Sequence, residues 1–416
     1  MDYNFDEIVP RRGTRSYKWD SAADADVLPM WVADMDFRTL PAIVETLQRR
    51  VAHGIFGYTK VPDAYYEAIV NWFSARHGWT MNREWIIYTI GVVPAVSAII
   101  KAMTQPGDQV IVQTPVYNCF FSSIRNNGCE IVSSPLVRKD DTYAVDFDDL
   151  EAKASSPKAK VFLLCNPHNP AGRVWIPEEL RRMGDICIRH GVFIISDEIH
   201  CELIQPGYAY TPFASLGGEY VKHSSVCISP SKAFNIAGLQ IANIVTADEE
   251  TRKKIDRAIN VNEVCDVNPF GVEALIAAYS EEGSEWLKQL NAYIAGNYRY
   301  MQAFCKEHLP EFPLIKLEGT YLAWMDCSAL GMKSEELEEE LVGKAKLWLN
   351  AGTMYGAEGE GFMRWNLACP RKNVEEGLNR FLRFVDEKGV KKLSQYTSRK
   401  NICHAEQSEA SRMRSR

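Results

Sequence analysis

Lys232 stands in the run Ser229-Pro230-Ser231-Lys232-Ala233-Phe234-Asn235-Ile236-Ala237-Gly238, and Asp197 opens Asp197-Glu198-Ile199-His200 some 35 residues earlier. A lysine among small hydroxyl residues at the end of an apolar run is placed to form an imine with an aldehyde cofactor. An aspartate ending the preceding apolar run can hold an aromatic ring nitrogen protonated, each charge favouring the other. Alone, an acid at a strand end is as readily a solvated cap.

Other groups fall into line around this pair. Gly91-Val92-Val93-Pro94 follows a strand-like stretch, Trp85–Ile90, and opens an apolar helix. Proline suits a first helical turn, and the free amides there bind anions, although such turns are common without any ligand. Asn166-Pro167-His168-Asn169-Pro170-Ala171-Gly172 makes a non-helical turn after another apolar run, where open α/β sheets keep their ligands. An amide such as Asn169 can donate to a phenolate and reach a carboxylate. Tyr117 in Thr114-Pro115-Val116-Tyr117-Asn118 offers a ring for stacking, or simply a core aromatic. Arg364 in Gly361-Phe362-Met363-Arg364-Trp365-Asn366 needs a partner within its apolar run: a substrate carboxylate or an internal acid. Asp197 and His200 make an incomplete metal pair with no third ligand at suitable spacing, so no metal is expected.

These residues require a sheet to hold them. Gln109–Thr114, Lys160–Leu164, Val192–Ser196, Ser225–Ser229 and Ile241–Val245 are continuously apolar, as strands covered on both faces are. Helical spacing between them, as in Pro177–His190, predicts an α/β fold: a three-layer αβα large domain with a mainly parallel sheet. A long helix, Glu285–His308, leads to a smaller α/β domain with strands at Tyr321–Met325 and Phe362–Leu367 and an acidic helix at 334–346. The expected division is 1–45 packing with the small domain, 46–285 as the large domain, 286–392 as the small one, and 393–416 as a disordered tail. A net charge of -7 argues against nucleic acid or an anionic membrane as partner. No apolar run reaches membrane-spanning length, and the acidic start is unlike a secretory signal. The 11 dispersed cysteines contain no CxxC clip. They read as reduced and mostly buried, which with the acidic start predicts a cytoplasmic protein.

In order and combination, Gly-Val-Val-Pro, Thr-Pro-Val-Tyr, Asn-Pro-His-Asn-Pro-Ala-Gly, Ser-Asp-Glu-Ile-His, Ser-Pro-Ser-Lys and the late arginine resemble fold-type I pyridoxal-phosphate enzymes, the aspartate aminotransferase superfamily. Leu28-Pro29-Met30-Trp31-Val32-Ala33-Asp34-Met35-Asp36-Phe37 with Gly57-Tyr58 is similar to the bacterial cystathionine β-lyases (C–S lyases) of the MalY/PatB type. The resemblance spans about residues 1–390. It implies pyridoxal 5'-phosphate as cofactor, Lys232 as its covalent anchor and proton shuttle, Asp197 on the ring nitrogen and Tyr117 stacked on the ring. Asn169 and His200 would face the ring's 3-oxygen, with Asn169 also touching the substrate carboxylate. Val92, Val93, Ser229 and Ser231 would surround the phosphate, Tyr58 would reach in from a partner subunit of a homodimer with shared sites, and Arg364 would bind the α-carboxylate of an amino-acid substrate. One departure is Gln240, where many aminotransferases carry a phosphate-binding arginine; lyases of this subgroup often lack it.

The resemblance implies β-elimination from L-cystathionine or another S-substituted L-cysteine, with transamination as the alternative, since both run through the same residues. A regulatory protein on such a scaffold is a third reading. Retention of Lys232 and Asp197 and the lack of a flanking helix-turn-helix weigh against it. A metallohydrolase is more distant still.

Overall fold

The computed structural model describes residues 2–389; the tail expected at 393–416 lies outside them. Seven strands form the main sheet: β1 (Ile86–Thr89), β2 (Gln109–Val112), β3 (Glu130–Ser133), β4 (Ala159–Cys165), β5 (Phe193–Asp197), β6 (Ser224–Ile228) and β7 (Ala242–Val245). Their order across the sheet is β1-β7-β6-β5-β4-β2-β3. Strands β2 to β6 pair in parallel, and β7 runs antiparallel to both its neighbours. Every residue of β5 and β6 is buried.

Alternation along the strands feeds two separate cores. Phe162, Leu164, Ile194 and Val226 pack on one face with Leu180, Met183 and Cys187 of α1 (Pro177–Arg189). Val161, Leu163, Ile195 and Cys227 pack on the other with Val96, Ile99 and Ile100 of the helix Val92–Met103. The result is a three-layer αβα sandwich.

A long helix, α2 (Glu281–His308), spans the junction to the second unit. Its Trp286, Leu290 and Ile294 sit in the large core, whereas Tyr298, Met301 and Cys305 sit in a smaller one. The smaller core underlies an antiparallel sheet of order β8-β10-β9, with β8 Leu322–Asp326, β9 Asn350–Ala351 and β10 Phe362–Asn366. Helix α3 (Arg371–Glu387) covers it through Leu378 and Phe381. The N-terminal segment ties the two units together. Leu28–Pro29 pairs in parallel with Leu347–Trp348, Leu28 and Met30 enter the small core, and Met35, Phe37 and Ile43 enter the large one.

Two details differ from the sequence reading. The long helix starts at Glu281 rather than Glu285, because Ser280 Oγ accepts the Gly283 amide at 3.1 Å and two acids occupy the first turn. Strand β3, missing from the expected set, is a half-exposed edge and so lacks the continuous apolar signature.

Candidate active site

The parallel strands end along one edge, and the turns leaving them build the site. Asp197 is the last residue of β5; Asn169 follows β4, Tyr117 follows β2, and Lys232 follows β6. The helix Val92–Met103 begins at that edge after β1, with Gly91 at its N-cap and no side chain capping it. From the smaller sheet, Arg364 of β10 reaches across. Together they line a cavity of about 360 Å³ that contains Lys232, Asp197, His200, Asn169, Tyr117 and Arg364, with Val92 and Val93 at one end.

The segment Trp31–Phe37 crosses this cavity as a strap, and its carbonyls are held from both units. The Ala33 carbonyl accepts from Lys232 Nζ at 2.6 Å and from the Tyr321 hydroxyl at 3.0 Å. That of Trp31 accepts from Arg364 Nη2 at 2.7 Å and Asn350 Nδ2 at 3.2 Å. Asn366 Nδ2 donates to the Val32 and Asp34 carbonyls, both at 2.6 Å. Asn235, in the left-handed region with φ +55°, donates to the Met35 and Phe37 carbonyls at 3.0 and 2.9 Å. The strap's acids do not enter the cavity: Asp34 pairs with Arg11 at 2.7 Å, and Asp36 takes Arg11 at 2.7 Å and Lys18 at 2.9 Å.

Burial sets the charges. It lowers the Lys232 ammonium to about 8, helped by the nearby Arg364 cation and opposed by Asp34 and Asp197. Burial also pushes the Asp197 carboxyl up to about 7, against the Ile199 amide and Lys232. His200 is held well below its usual range by burial and then by Lys232 and Arg364, so its imidazole is neutral. Burial raises the Tyr117 phenol well above its ordinary value, and the neighbouring Cys119 adds to that.

Several buried groups lack partners within the protein. The Asp197 carboxylate accepts one hydrogen bond, from the Ile199 amide at 3.1 Å. His200 Nδ1 and Arg364 Nε have none. Arg364 Nη1 lies 3.1 Å from Asn169 Oδ1 and its guanidinium sits 4.9 Å from the Tyr355 ring centre, so its other contacts are neutral. A buried acid awaiting a cation, a neutral imidazole with a free nitrogen, an uncapped helix N-terminus and a primary amine match the ring nitrogen, 3-oxygen, phosphate and aldehyde of pyridoxal phosphate. The donor set fits that cofactor. Among the described residues no cluster of three or more His, Cys, Asp or Glu could hold a metal.

Three of the expected residues stand apart from the cavity lining. Ser229 and Ser231 are buried in the turn before Lys232, where Ser229 Oγ accepts the Ser231 amide at 3.0 Å and lies 2.6 Å from the Ile241 carbonyl. Tyr58 is 93% exposed on the stretch after Gly54. Gln240 is exposed and left-handed at φ +54°. Ala33, Trp31, Asn350, Tyr355 and Cys119 had no individual role in the sequence analysis, and all of them line the cavity. Trp31 and Ala33 entered only within a motif, and what they offer Arg364 and Lys232 is a main-chain oxygen that any residue has.

A model of the family "aminotransferase class I and II" matches residues 25–381. The cystathionine beta-lyase PatB of Bacillus subtilis is 45% identical over 381 residues, 91% of this chain and 98% of PatB. Cystalysin from Treponema denticola, solved with pyridoxal 5'-phosphate, superposes with a TM-score of 0.90 at 35% identity, covering 93% of this chain and all of cystalysin. The pyridoxal-phosphate-bound C–S lyase of Staphylococcus hominis gives 0.85 at 34% identity, over 91% of this chain and 98% of that one.

Proposed function

The chain belongs to the aminotransferase class I and II family, and within it we propose that L-cystathionine or another S-substituted L-cysteine is cleaved to a thiol, pyruvate and ammonia. The protein is a pyridoxal-phosphate-dependent carbon–sulfur β-lyase. One observation carries the reading: a lysine amine lowered to about 8, a buried carboxylate and an arginine with neutral partners share one cavity.

When bound, pyridoxal phosphate supplies an aldehyde for the substrate amine and a cationic ring that draws off the electron pair left at the α-carbon. The chain's residues do the rest. Asp197 would keep a proton on the ring nitrogen by its negative charge, and Tyr117 would cover the ring face. His200 and Asn169 would face the 3-oxygen. The amides of Val92 and Val93 would take the phosphate, with Ser229 and Ser231 in the turn before Lys232 as its further expected partners, and the helix dipole would supply charge that Gln240 does not. Arg364 and Asn169 grip the α-carboxylate, fixing the α-hydrogen toward Lys232. Lys232 Nζ takes that proton and can pass one to the departing sulfur. The released enamine hydrolyses in water to pyruvate and ammonia.

Incubation of the holoenzyme with L-cystathionine and no 2-oxo acid is expected to yield pyruvate continuously. Turnover only when a 2-oxo acid is supplied would assign the chain to transamination instead.

The lowered Lys232 pKa has its own consequence, because only the neutral amine condenses with an aldehyde. With a pKa of about 8 in place of 10.5, the rate of cofactor uptake by the apoprotein should rise roughly tenfold from about pH 7 to 9 and then level off. The spectrum followed in stopped flow reads this directly. A rate still climbing tenfold per unit near about pH 10 would contradict it.

We further propose a homodimer with shared sites, in the cytoplasm. Ile55, Phe56, Tyr58, Val261 and Val264 are exposed apolar or aromatic side chains on two loops, and Phe56 lies 5.7 Å from Phe270 on the helix that follows the second, apolar surface that a second chain would cover. Cytoplasmic placement is supported by the ten free cysteines among the described residues, and a secreted, disulfide-linked form would contradict it. Mixing inactive Tyr58→Ala and Lys232→Ala proteins should restore about a quarter of wild-type activity, since one intact site forms in each hybrid. Activity no greater than the sum of the two would defeat the shared-site assignment.

A further inference from the structure

The outer wall of the cavity is aromatic. The Trp31 indole stacks on Trp348 with centroids 4.3 Å apart and planes 9° apart, and the Tyr17 ring lies 5.4 Å from Trp31. Trp348 is fixed by Nε1 donating to Glu338 Oε1 at 2.9 Å, and Trp31 by Nε1 donating to the Lys18 carbonyl at 3.3 Å. Tyr17 and Met354 complete the wall at the mouth, 74% and 39% exposed. Large apolar side chains held in water beside a cavity invite an apolar ligand.

The wall is registered to the chemistry, because the Trp31 carbonyl holds the Arg364 guanidinium at 2.7 Å. A substrate anchored by its α-carboxylate on Arg364 would extend its sulfur substituent into a cavity that Trp31 and Tyr17 also line. Among the described residues, the charged side chains lining the cavity are Lys232, Arg364 and Asp197, and each already has a task. Asp34 and Asp36 are turned away onto Arg11 and Lys18. A second ammonium-and-carboxylate head would meet indole and thioether with no charged partner, whereas an aromatic group would gain stacking and sulfur–aromatic contact.

We propose that the preferred substrates are S-aryl or S-arylalkyl L-cysteines, selected by Tyr17, Trp31 and Met354, rather than thioethers ending in a second amino-acid head. This rests on the β-lyase reading and narrows it.

Pyruvate release by the holoenzyme should show kcat/KM for S-benzyl-L-cysteine at least about tenfold above that for L-cystathionine. Tyr17→Ala should lower the S-benzyl to S-methyl ratio of kcat/KM about tenfold, mainly through KM, and Tyr17→Phe should restore it. Tyr17 is exposed, so the substitution leaves the buried cores intact. As a readout apart from turnover, the sulfur-free isostere 2-amino-5-phenylpentanoate should quench tryptophan fluorescence at about tenfold lower concentration in wild type than in Tyr17→Ala. Cystathionine turned over as well as or better than S-benzylcysteine overturns this inference and leaves the β-lyase intact. An unchanged ratio in Tyr17→Ala overturns the role of the wall. No pyruvate from either thioether overturns the β-lyase reading itself.

Discussion

Lys232→Ala should lower kcat/KM for thioether cleavage by about 10⁴-fold or more and abolish the yellow colour of a lysine-held cofactor. Two losses compound: the anchor that presents the cofactor's aldehyde in reactive form, and the base that removes the α-proton. No neighbour can take over. His200 is neutral and held well below its usual range, so it is a weak base, and the Tyr117 phenol is raised well above its own. The loss should not come from unfolding. The Ala33 carbonyl that accepts from Lys232 keeps its second donor, the Tyr321 hydroxyl at 3.0 Å. Removing a buried amine also removes a charge that burial disfavours, so stability should shift by less than about 1 kcal/mol. Circular dichroism and a thermal melt beside the kinetics check this. Residual activity above about a hundredth of wild type would deny Lys232 its role.

How much of this was legible beforehand depended on where the information resides. Lys232, Asp197, Asn169 and Tyr117 were visible because each ends or follows a strand whose apolar run stops abruptly, and strand ends in such sheets meet at one edge. The parallel sheet was visible because Ile194 and Ile195, or Val226 and Cys227, are buried on opposite faces and leave no polar gap. The roles of the individual residues came from resemblance, since an aspartate at a strand end does not by itself announce a ring nitrogen. The strap was illegible for a different reason: the groups it offers are the carbonyls of Trp31, Val32, Ala33 and Asp34, which no side-chain pattern encodes. The aromatic wall was missed because its stacking joins Trp31 to Trp348, neighbours only through the short Leu28–Pro29 pairing with Leu347–Trp348. Edge strand β3 escaped because one polar, half-wet run resembles a loop.

Asp197→Asn should cost about 10³-fold in kcat with a smaller change in KM, while making the apoprotein more stable at alkaline pH. The kinetic effect follows from charge. An amide is neutral and cannot favour a proton on the ring nitrogen, so the ring loses much of its capacity to accept the α-carbon's electrons. Geometry is preserved, because Asn Oδ1 can still accept the Ile199 amide now bonded to Asp197 Oδ1 at 3.1 Å. The stability effect follows from the same burial that raises the Asp197 carboxyl from 3.8 to about 7. Below pH 3.8 both folded and unfolded chains carry the proton, and Asp197 contributes nothing. As pH rises from there to about 7, the unfolded chain releases a proton that the folded one retains, so stability falls; above about 7 the full cost of a buried carboxylate remains. Asparagine never bears that cost. The apo variant should therefore melt above the wild type at alkaline pH, by on the order of a few kcal/mol at most, and the gap should close toward about pH 4. Bound cofactor supplies the wild type with the missing cation, so in the holo forms the difference should shrink or reverse. A variant that keeps more than about a tenth of wild-type kcat would remove Asp197 from the ring nitrogen. One that destabilises the apoprotein at every pH would show that the carboxylate has a fixed cationic partner within the chain.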